Sequence, residues 1–231
     1  MSQQIEAFVF DAYGTLLDVN AAVAKNVSSF GEQGDAFAAM WRARQLEYSW
    51  TRALMNRYAD FWTATEEALL FTLRSFKLDK DEALRSRLLK SYFELGAHPD
   101  ALDALTRLKA TGVKLAVLSN GTNEMVRAAL KAGGLLELMD AVLSVDDLKL
   151  YKPDPRVYQY ACDKLDVTPD QVMFVSCNSW DLAGAASFGF RSARINRTDG
   201  PPEYEFAPLH SEHRSLGELP ALIGEAAEKG S

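Results

Sequence analysis

Side chains that could do chemistry follow each of four short apolar runs in the sequence. The first run ends at Asp11, and a carboxylate in that place can act as a nucleophile or as a general base. Taken singly, such polar residues after a strand are most often helix caps or turn formers. Together they supply two carboxylates, a lysine, hydroxyls and amides: Asp11, Thr15, Ser119, Asn120, Lys152, Ser176, Asn178 and Asp181.

The apolar runs predict the elements that would hold these residues. They lack polar alternation, which is typical of strands buried on both faces of a parallel sheet: Glu6–Phe10, Val113–Leu118, Ala141–Leu143, Val172–Val175 and Arg191–Ile195. Helical patterns separate them: Pro99–Ala110, Asn123–Ala132, Pro155–Leu165 and Asp181–Phe188. Alternating strands and helices predict a doubly wound, Rossmann-like α/β domain, which binds ligands at the carboxyl ends of its strands.

One long segment breaks this alternation. Residues 19–97 show helical periodicity and no convincing strand, for example in the charged amphipathic stretch Asp81–Leu95. We therefore predict a helical cap domain at 19–97, inserted into an α/β core formed by 1–18 and 98–231. The end of the chain is Pro-rich from about residue 199 and then amphipathic over Leu216–Ala227.

Composition excludes several classes of protein. The 231 residues carry 25 Lys and Arg against 32 Asp and Glu, a net charge of −7, which argues against nucleic acid or an anionic membrane as a partner. No apolar run approaches the roughly 20 residues that span a bilayer, and the amino terminus lacks the basic region of a signal peptide. The 2 cysteines, Cys162 and Cys177, favour reduced thiols over a disulfide framework, so we expect a cytoplasmic protein.

Four motifs resemble those of the haloacid dehalogenase superfamily. They occur in order as FDAYGTLLD at Phe10–Asp18, LSNG at Leu118–Gly121, YKPDPRVY at Tyr151–Tyr158 and SCNSWD at Ser176–Asp181. The resemblance covers nearly the whole chain, with core, cap and core in sequence. Its details are similar to the (S)-2-haloacid (L-2-haloacid) dehalogenase branch.

Chemistry supports this branch over the phosphatases of the superfamily. Phosphatases of this kind carry an acid two residues after the nucleophile, where this chain has Tyr13. They also place acids on the fourth motif to bind Mg²⁺, where this chain has Ser176 and Asn178. A departing halide needs no proton, so the loss of that acid does not impair dehalogenation. The resemblance thus implies an enzyme with no metal and no cofactor.

The resemblance also implies roles for the core residues. Asp11, oriented by Thr15 and kept ionised by Lys152, would displace the halide from C2 and form an ester. Asp181 would then position the hydrolytic water, together with Ser176 and Asn178. The expected product of a short L-2-haloacid is the D-2-hydroxyacid. Ser119 would bind the substrate carboxylate, and Tyr158 would brace the lysine or Asp181.

The cap is expected to complete the site. By its position Arg42 would bind the departing halide with Asn120 and Trp180, and Arg44 is the alternative should Arg42 prove dispensable. Residues four apart share a helix face, so Arg42 and Leu46 should point the same way. The apolar pocket around the substrate would consist of Tyr13, Leu46, Phe61 and Trp180.

Three alternatives remain at this stage: a dehalogenase specialised for fluoroacetate, a phosphatase that tolerates Tyr13, and a non-catalytic binding module that kept the fold. The three histidines, His98, His210 and His213, are predicted to be surface residues away from the site. Relatives with such caps commonly form homodimers, so a homodimer is expected. The partners would then be a small anionic 2-haloacid and halide, with neither nucleic acid nor membrane.

Overall fold

A parallel β-sheet forms the centre of the protein. The computed structural model describes residues 4–20, 24, 26 and 30–223. Its sheet has six strands in the order β3-β2-β1-β4-β5-β6, and every neighbouring pair is parallel. The strands are β1 Ala7–Phe10, β2 Lys114–Ser119, β3 Ala141–Ser144, β4 Val172–Ser176, β5 Arg191–Ile195 and β6 Ser211–His213.

Helices connect the strands and build the insertion. Those of the insertion are α1 Gly34–Leu54, α2 Phe61–Ser75 and α3 Glu82–Ser91. Those of the core are α4 Ala101–Ala110, α5 Asn123–Ala132, α6 Pro155–Leu165 and α7 Ser179–Phe188. Local sequence sets several of their starts, because Asp60, Asp81, Thr122 and Asp154 each accept a hydrogen bond from a first-turn N–H group.

The strand order creates one crevice at the carboxyl edge of the sheet. The chain runs from β1 outward to β2 and β3, then returns to place β4 on the other side of β1. Phe10 at the end of β1 pairs with Val117 of β2 and Val175 of β4, so the three strands end at the same level. Ligands of open α/β sheets bind where the strand order reverses in this way.

The insertion begins and ends at one place. Leu17 forms an antiparallel bridge with Ala97, and the Asp18 N–H donates to Gly96 O at 2.9 Å. In between, the described residues form helices and no strand. These contacts bring the two ends of the insertion together at the core, and the cap bounds of 19–97 stay a prediction.

The structure confirms the predicted fold class and refines its elements. Each predicted strand lies within one or two residues of an observed one, while β6 was not predicted because its sequence, SEH, has no apolar run. The predicted helix Asp81–Leu95 is shorter, ending at Ser91. Of the predicted amphipathic end, Leu216–Glu218 forms a 3₁₀ turn, and residues 224–227 lie outside the described residues. None of the described helices is long and apolar enough to cross a membrane.

Candidate active site

Asp11 lies just beyond β1 with its two carboxylate oxygens in different surroundings. Oδ2 accepts hydrogen bonds from Asn178 Nδ2 at 2.7 Å, Thr15 Oγ1 at 3.2 Å and Ser176 Oγ at 3.3 Å. Oδ1 accepts from Lys152 Nζ at 3.2 Å. Because three donors converge on one oxygen, the carboxylate has a fixed rotation and keeps Oδ1 the less occupied of the two.

Lys152 joins Asp11 to the second carboxylate of the site. Its ammonium lies 3.2 Å from Asp11 Oδ1 and 2.7 Å from Asp181 Oδ2, and its side chain is only 1% exposed. Burial alone would lower the pKa of Lys152, but the two carboxylates outweigh it and hold this pKa above its ordinary value. The lysine therefore stays positive at neutral pH and compensates the buried negative charge.

Asp181 is fully buried and accepts on both of its oxygens. Lys152 donates to Oδ2, and the Tyr158 hydroxyl donates to Oδ1 at 2.9 Å. Burial raises the pKa of Asp181 to about 6, against the opposing effects of the lysine charge and the tyrosine hydrogen bond. Tyr158 thus braces Asp181, which was one of the two options predicted for it.

A tight turn after β1 sets the position of Thr15. Gly14 has φ of +90°, and a Cβ there would lie 3.0 Å from Cys177 Sγ, so the turn requires glycine. Thr15 Oγ1 accepts from the Cys177 N–H at 2.9 Å and donates to Asp11. The threonine hydroxyl therefore ties the β1 loop to the β4 loop while it orients the carboxylate.

Two basic side chains hold this turn from outside. His98 Nε2 lies 3.0 Å from Gly14 O, and Arg197 donates to Thr15 O at 3.1 Å and to Asp100 at 3.3 Å. The prediction that His98 is a surface residue is wrong, because it is half-buried against the nucleophile loop. Burial, followed by the nearby Arg197 charge, lowers the pKa of His98. Of the other two histidines, His210 is exposed as predicted and His213 is half-buried.

The loop after β2 lies on the other side of Lys152. Asn120 Oδ1 accepts from the Lys152 N–H at 3.0 Å, which fixes the amide so that its NH₂ group faces away from that backbone. Ser119 is buried, and its hydroxyl oxygen accepts from the Gly121 N–H at 3.1 Å. A Cβ on Gly121 would lie 2.9 Å from the Tyr13 ring, so this loop packs directly on Tyr13.

Tyr13 forms an aromatic contact between core and cap. Its ring centroid lies 6.5 Å from that of Phe61 on α2 and 6.0 Å from that of Tyr92. Its hydroxyl is buried and has no hydrogen-bond partner among residues 4–20, 24, 26 and 30–223. Tyr13 and Phe61 are thus brought together, as predicted for an apolar pocket beside Asp11.

Arg42 extends from α1 of the cap towards this cluster. Its Nη1 donates to Gln45 Oε1 at 2.7 Å. Burial raises the pKa of Tyr13 and of Tyr92, and the Arg42 charge acts in the opposite direction on both. Arg42 and Leu46 line the same cavity, as their spacing predicted. Whether Leu46 also reaches the substrate pocket stays a prediction.

Trp180 lies at the start of α7. Its ring packs edge-on against Trp50 of the cap, with centroids 5.3 Å apart. Both tryptophans, with Lys152, also line an apolar cavity of about 770 Å³ between the end of α1, the start of α6 and α7. The structure therefore places Trp180 at a cap–core contact next to Asp181.

Two residues that support the site, Arg197 and Gln45, were not predicted from the sequence. Arg197 follows β5, whose carboxyl end reaches the same sheet edge as the ends of β1 and β4. A search of the residues that follow every strand of the parallel sheet could therefore have found it. Gln45 is fully buried on α1, and its spacing of four from Trp41 is the only signal in the sequence for that burial. Within the described part of the chain, no cluster of three or more His, Cys, Asp or Glu residues could hold a metal.

Comparison with known proteins agrees with this geometry. A family model for haloacid dehalogenase-like hydrolases matches residues 5–189. The chain therefore belongs to the haloacid dehalogenase-like hydrolases.

Its relatives include (S)-2-haloacid dehalogenases. The chain is 54% identical over 231 residues to (S)-2-haloacid dehalogenase 4A of Burkholderia cepacia, which covers 100% of both chains. It is 58% identical over 219 residues to (S)-2-haloacid dehalogenase 1 of Pseudomonas sp. strain CBS-3, covering 95% of this chain and 96% of the relative. These matches confirm the family expected from the motifs.

A solved structure is similar over the same length. The L-2-haloacid dehalogenase from Xanthobacter autotrophicus with chloropropionic acid covalently bound has a TM-score of 0.87 and 38% identity, covering 96% of this chain and 99% of that one.

Proposed function

We propose that this enzyme hydrolyses short L-2-haloacids to D-2-hydroxyacids through an ester on Asp11. The observation that carries the proposal is the buried Asp11 carboxylate, oriented by three donors on one oxygen and paired with Lys152. Relatives of 54% and 58% identity are (S)-2-haloacid dehalogenases, and a similar structure holds chloropropionic acid covalently.

In the first step, Asp11 Oδ1 attacks C2 of the substrate. Oδ2 is occupied by three hydrogen-bond donors, whereas Oδ1 has the lysine alone among the described residues, so Oδ1 has lone pairs to spare. The Oδ1–C2 bond forms as the carbon–halogen bond breaks, and the halide leaves with the bonding electrons. Attack from the side opposite the halide inverts C2.

In the second step, water attacks the Asp11 carbonyl carbon. Oδ2 is then the ester carbonyl oxygen, and the donors from Thr15, Ser176 and Asn178 stabilise the negative charge that develops on it. The bond from the carbonyl carbon to Oδ1 breaks, and Oδ1 departs with the product. C2 is untouched in this step, so the D configuration is retained, and Asp11 keeps one oxygen from water.

Asp181 is the proposed general base for that water. Its pKa of about 6 leaves it ionised at neutral pH yet basic enough to accept a proton. Lys152, in contact with both carboxylates, supplies a proton donor to the departing alkoxide. The product hydroxyl then carries a proton, and the proton on Asp181 returns to Lys152, which lies 2.7 Å away. The second proton of the water, left on the Asp11 carboxyl, is lost to solvent, so the charges of the site return to their starting values.

Substrate binding is proposed to use both core and cap. The carboxylate binds Ser119 and backbone N–H groups of the β1 and β2 loops. The halide binds Arg42, Asn120 and Trp180. Tyr13, Leu46 and Phe61 with the Trp180 ring contact the alkyl group, for which the Tyr13–Phe61 contact is direct support.

We propose that no metal takes part in the reaction. The position between Asp11 and Asp181 is filled by the Lys152 ammonium, and Ser176 and Asn178 donate to Asp11 rather than offering carboxylates. This donor set suits a cation fixed to the chain and not Mg²⁺. Turnover should be unchanged after dialysis against a chelator, and recovery on adding Mg²⁺ would contradict the proposal.

A homodimer and a cytoplasmic location are further proposals. Apolar side chains on the cap support the dimer: Leu54 is 84% exposed, Met55 61% and Phe71 38%. Light scattering across a range of concentrations tests it. Both cysteines of the chain are free thiols, which supports the cytoplasm and can be tested by cell fractionation.

The ester is tested by a single turnover in ¹⁸O-water with enzyme in excess over L-2-chloropropionate. The label should enter Asp11 and be absent from the first product formed. Label appearing directly in the product hydroxyl would contradict the ester. Halide release from the L and D isomers, measured in parallel with hydrolysis of p-nitrophenyl phosphate, separates dehalogenase from phosphatase and from a binding module.

A further inference from the structure

A continuous set of hydrogen bonds crosses the interior of the cap and ends at Arg42. Gln45 lies at its centre, fully buried on the face of α1 that packs on α2. Gln45 Oε1 accepts from Arg42 Nη1 at 2.7 Å, and Gln45 Nε2 donates to Thr65 Oγ1 at 2.6 Å. The Thr65 hydroxyl in turn donates to Phe61 O at 2.6 Å.

The chemistry of these groups fixes which atom donates and which accepts in each hydrogen bond. A guanidinium can donate but not accept, so the amide oxygen of Gln45 must face Arg42. The amide nitrogen then faces Thr65, whose hydroxyl proton is left for the backbone carbonyl. Each of the three bonds thus joins a donor to an acceptor, so the set anchors Arg42 to the backbone of α2.

We propose that Gln45 is a positioning residue that fixes Arg42 for the departing halide. The inference rests on the proposed function, because it assigns Gln45 a part in the carbon–halogen cleavage step. Gln45 itself does not touch the substrate; it binds Nη1 and leaves Nε and Nη2 of the guanidinium for the halide. A long arginine side chain otherwise has many rotamers, and only some would direct these nitrogens to the site.

Tyr92 lies beside the same hydrogen-bonded set. The Tyr92 hydroxyl lies 3.5 Å from the same Gln45 oxygen, and the Tyr92 ring packs 6.0 Å from that of Tyr13. The opposing effect of the Arg42 charge on the pKa of both tyrosines agrees with a guanidinium facing this cluster. Phe61, whose carbonyl ends the hydrogen-bonded set, also contacts Tyr13, so one network orients both the cation and the apolar wall.

The test is Gln45→Met, which keeps the volume and removes both hydrogen bonds. Rapid mixing with L-2-chloropropionate and L-2-bromopropionate measures halide release, and the decay of the ester measures hydrolysis. We expect halide release to slow about 10-fold to 100-fold, more for chloride than for bromide, because chloride is the poorer leaving group. Ester hydrolysis should change less than about 2-fold, since the halide has already left.

The control is Ser49→Ala, one turn further along the same buried face, where the hydroxyl donates to Leu46 O rather than to Arg42 or Thr65. It should alter neither step nor the chloride-to-bromide ratio. A double-mutant cycle with Arg42→Ala provides a second measurement: once Arg42 is absent, Gln45→Met should slow halide release no further. Additive effects would overturn the proposal, as would equal slowing of both steps.

Thr65→Val provides a variant that retains Gln45, should Gln45→Met fail to fold. It removes the hydrogen bond from the Gln45 amide to the Thr65 hydroxyl. Halide release should therefore slow, but by a smaller factor than in Gln45→Met. Unchanged halide release in Thr65→Val would overturn the role of Gln45, as would a folded, fully active Gln45→Met. Failure of the proposed function is distinct, because the wild-type enzyme would then release no halide at all.

Discussion

Asp181 is a buried carboxylate whose pKa determines when the site can activate water. Burial raises this pKa to about 6, so a fall in pH protonates the proposed general base. We expect the rate of ester hydrolysis to be constant above about pH 7 and to fall below pH 6, reaching roughly one-tenth of its plateau near pH 5. Single-turnover decay of the ester between pH 4.5 and 8 measures this, and a flat profile would contradict the assignment.

Tyr158→Phe tests the same carboxylate from its other side. The tyrosine hydroxyl donates to Asp181 Oδ1 at 2.9 Å, which favours the ionised form. Removing it should raise the Asp181 pKa and move the acid limb of the profile to higher pH. The matched control is Tyr160→Phe on the same helix, whose hydroxyl donates to Asp147 outside the site; its profile should stay unchanged.

Arg42 and Arg44 lie two positions apart on α1 but face different surroundings. Arg42 binds Gln45 and faces the aromatic cluster, whereas Arg44 pairs with Glu47 and lies 4.6 Å from the Phe71 ring. We expect Arg42→Ala to lose at least 100-fold in kcat, as for other groups that stabilise charge in a transition state, with little change in thermal stability. Arg44→Ala should retain activity. If Arg44→Ala loses activity and Arg42→Ala keeps it, Arg44 and not Arg42 binds the halide.

At the scale of elements, α6 and α7 pack so closely that they set the Tyr158–Asp181 contact. A Cβ on Gly184 of α7 would lie 2.4 Å from the Tyr158 hydroxyl and 2.6 Å from Pro153 Cβ. Gly184→Ala should therefore destabilise the fold by roughly 1–3 kcal/mol and lower kcat by displacing Tyr158. Urea denaturation and steady-state kinetics measure both effects.

Gly96→Ala is the control for that substitution. A Cβ on Gly96 would have no atom within 4 Å, so its effect should stay within about 0.5 kcal/mol with kcat unchanged. Equal losses in the two variants would mean that the contact between α6 and α7 is not what Gly184 provides.

Continuous apolar runs explain why the central strands could be predicted from the sequence. β1 and β4 are buried along their whole length, and apolar runs of this kind can be recognised from the sequence alone. β6 is a polar edge strand whose pairing with β5 is decided by tertiary contacts, so no local pattern reveals it. Helix ends were displaced for the same reason, because capping and packing fix the terminal turns.

The site was predictable where a strand end delivers the side chain. Ligands of open α/β sheets bind at the carboxyl ends of the strands, and for β1 and β4 this indicated Asp11 and Asp181. The structure joins these two carboxylates through Lys152. Contacts to backbone atoms were not predictable, since the partner of a carbonyl depends on the folded loops. His98 at Gly14 O is the example: nothing in its neighbourhood of the sequence indicates that contact.

At the scale of the whole molecule, the net charge opposes the substrate. An enzyme with a net charge of −7 repels a carboxylate, so the site must be locally positive. The positive charge of Lys152 is already compensated by two carboxylates. We therefore propose that Arg42 is the group that attracts the substrate anion. Cap and core must therefore meet for the site to bind its substrate.

Cap and core are joined by contacts at several separate places. The Tyr58 hydroxyl donates to Asp146 at 2.7 Å, and the Tyr151 hydroxyl donates to Ala59 O at 2.6 Å. The rings of Trp50 and Trp180 pack across the same boundary. The two parts of the chain thus share buried aromatic surface as well as the β-bridge between Leu17 and Ala97.

These contacts predict that cap and core unfold together. In urea, tryptophan fluorescence and far-UV circular dichroism should give one coincident transition at a fixed protein concentration. The fluorescence reports on Trp50 and Trp180 at the boundary together with Trp41 and Trp62 of the cap. Tyr58→Phe should lower the free energy of unfolding by about 0.5–1.5 kcal/mol while the two transitions still coincide, because one hydrogen bond is lost from a larger interface. Tyr48→Phe is the control, because Tyr48 lines the same cavity as Tyr58 but is not the residue that bonds to Asp146. A fluorescence change that precedes the loss of helix would show that the cap separates first, and the cooperative unit would then be the core alone.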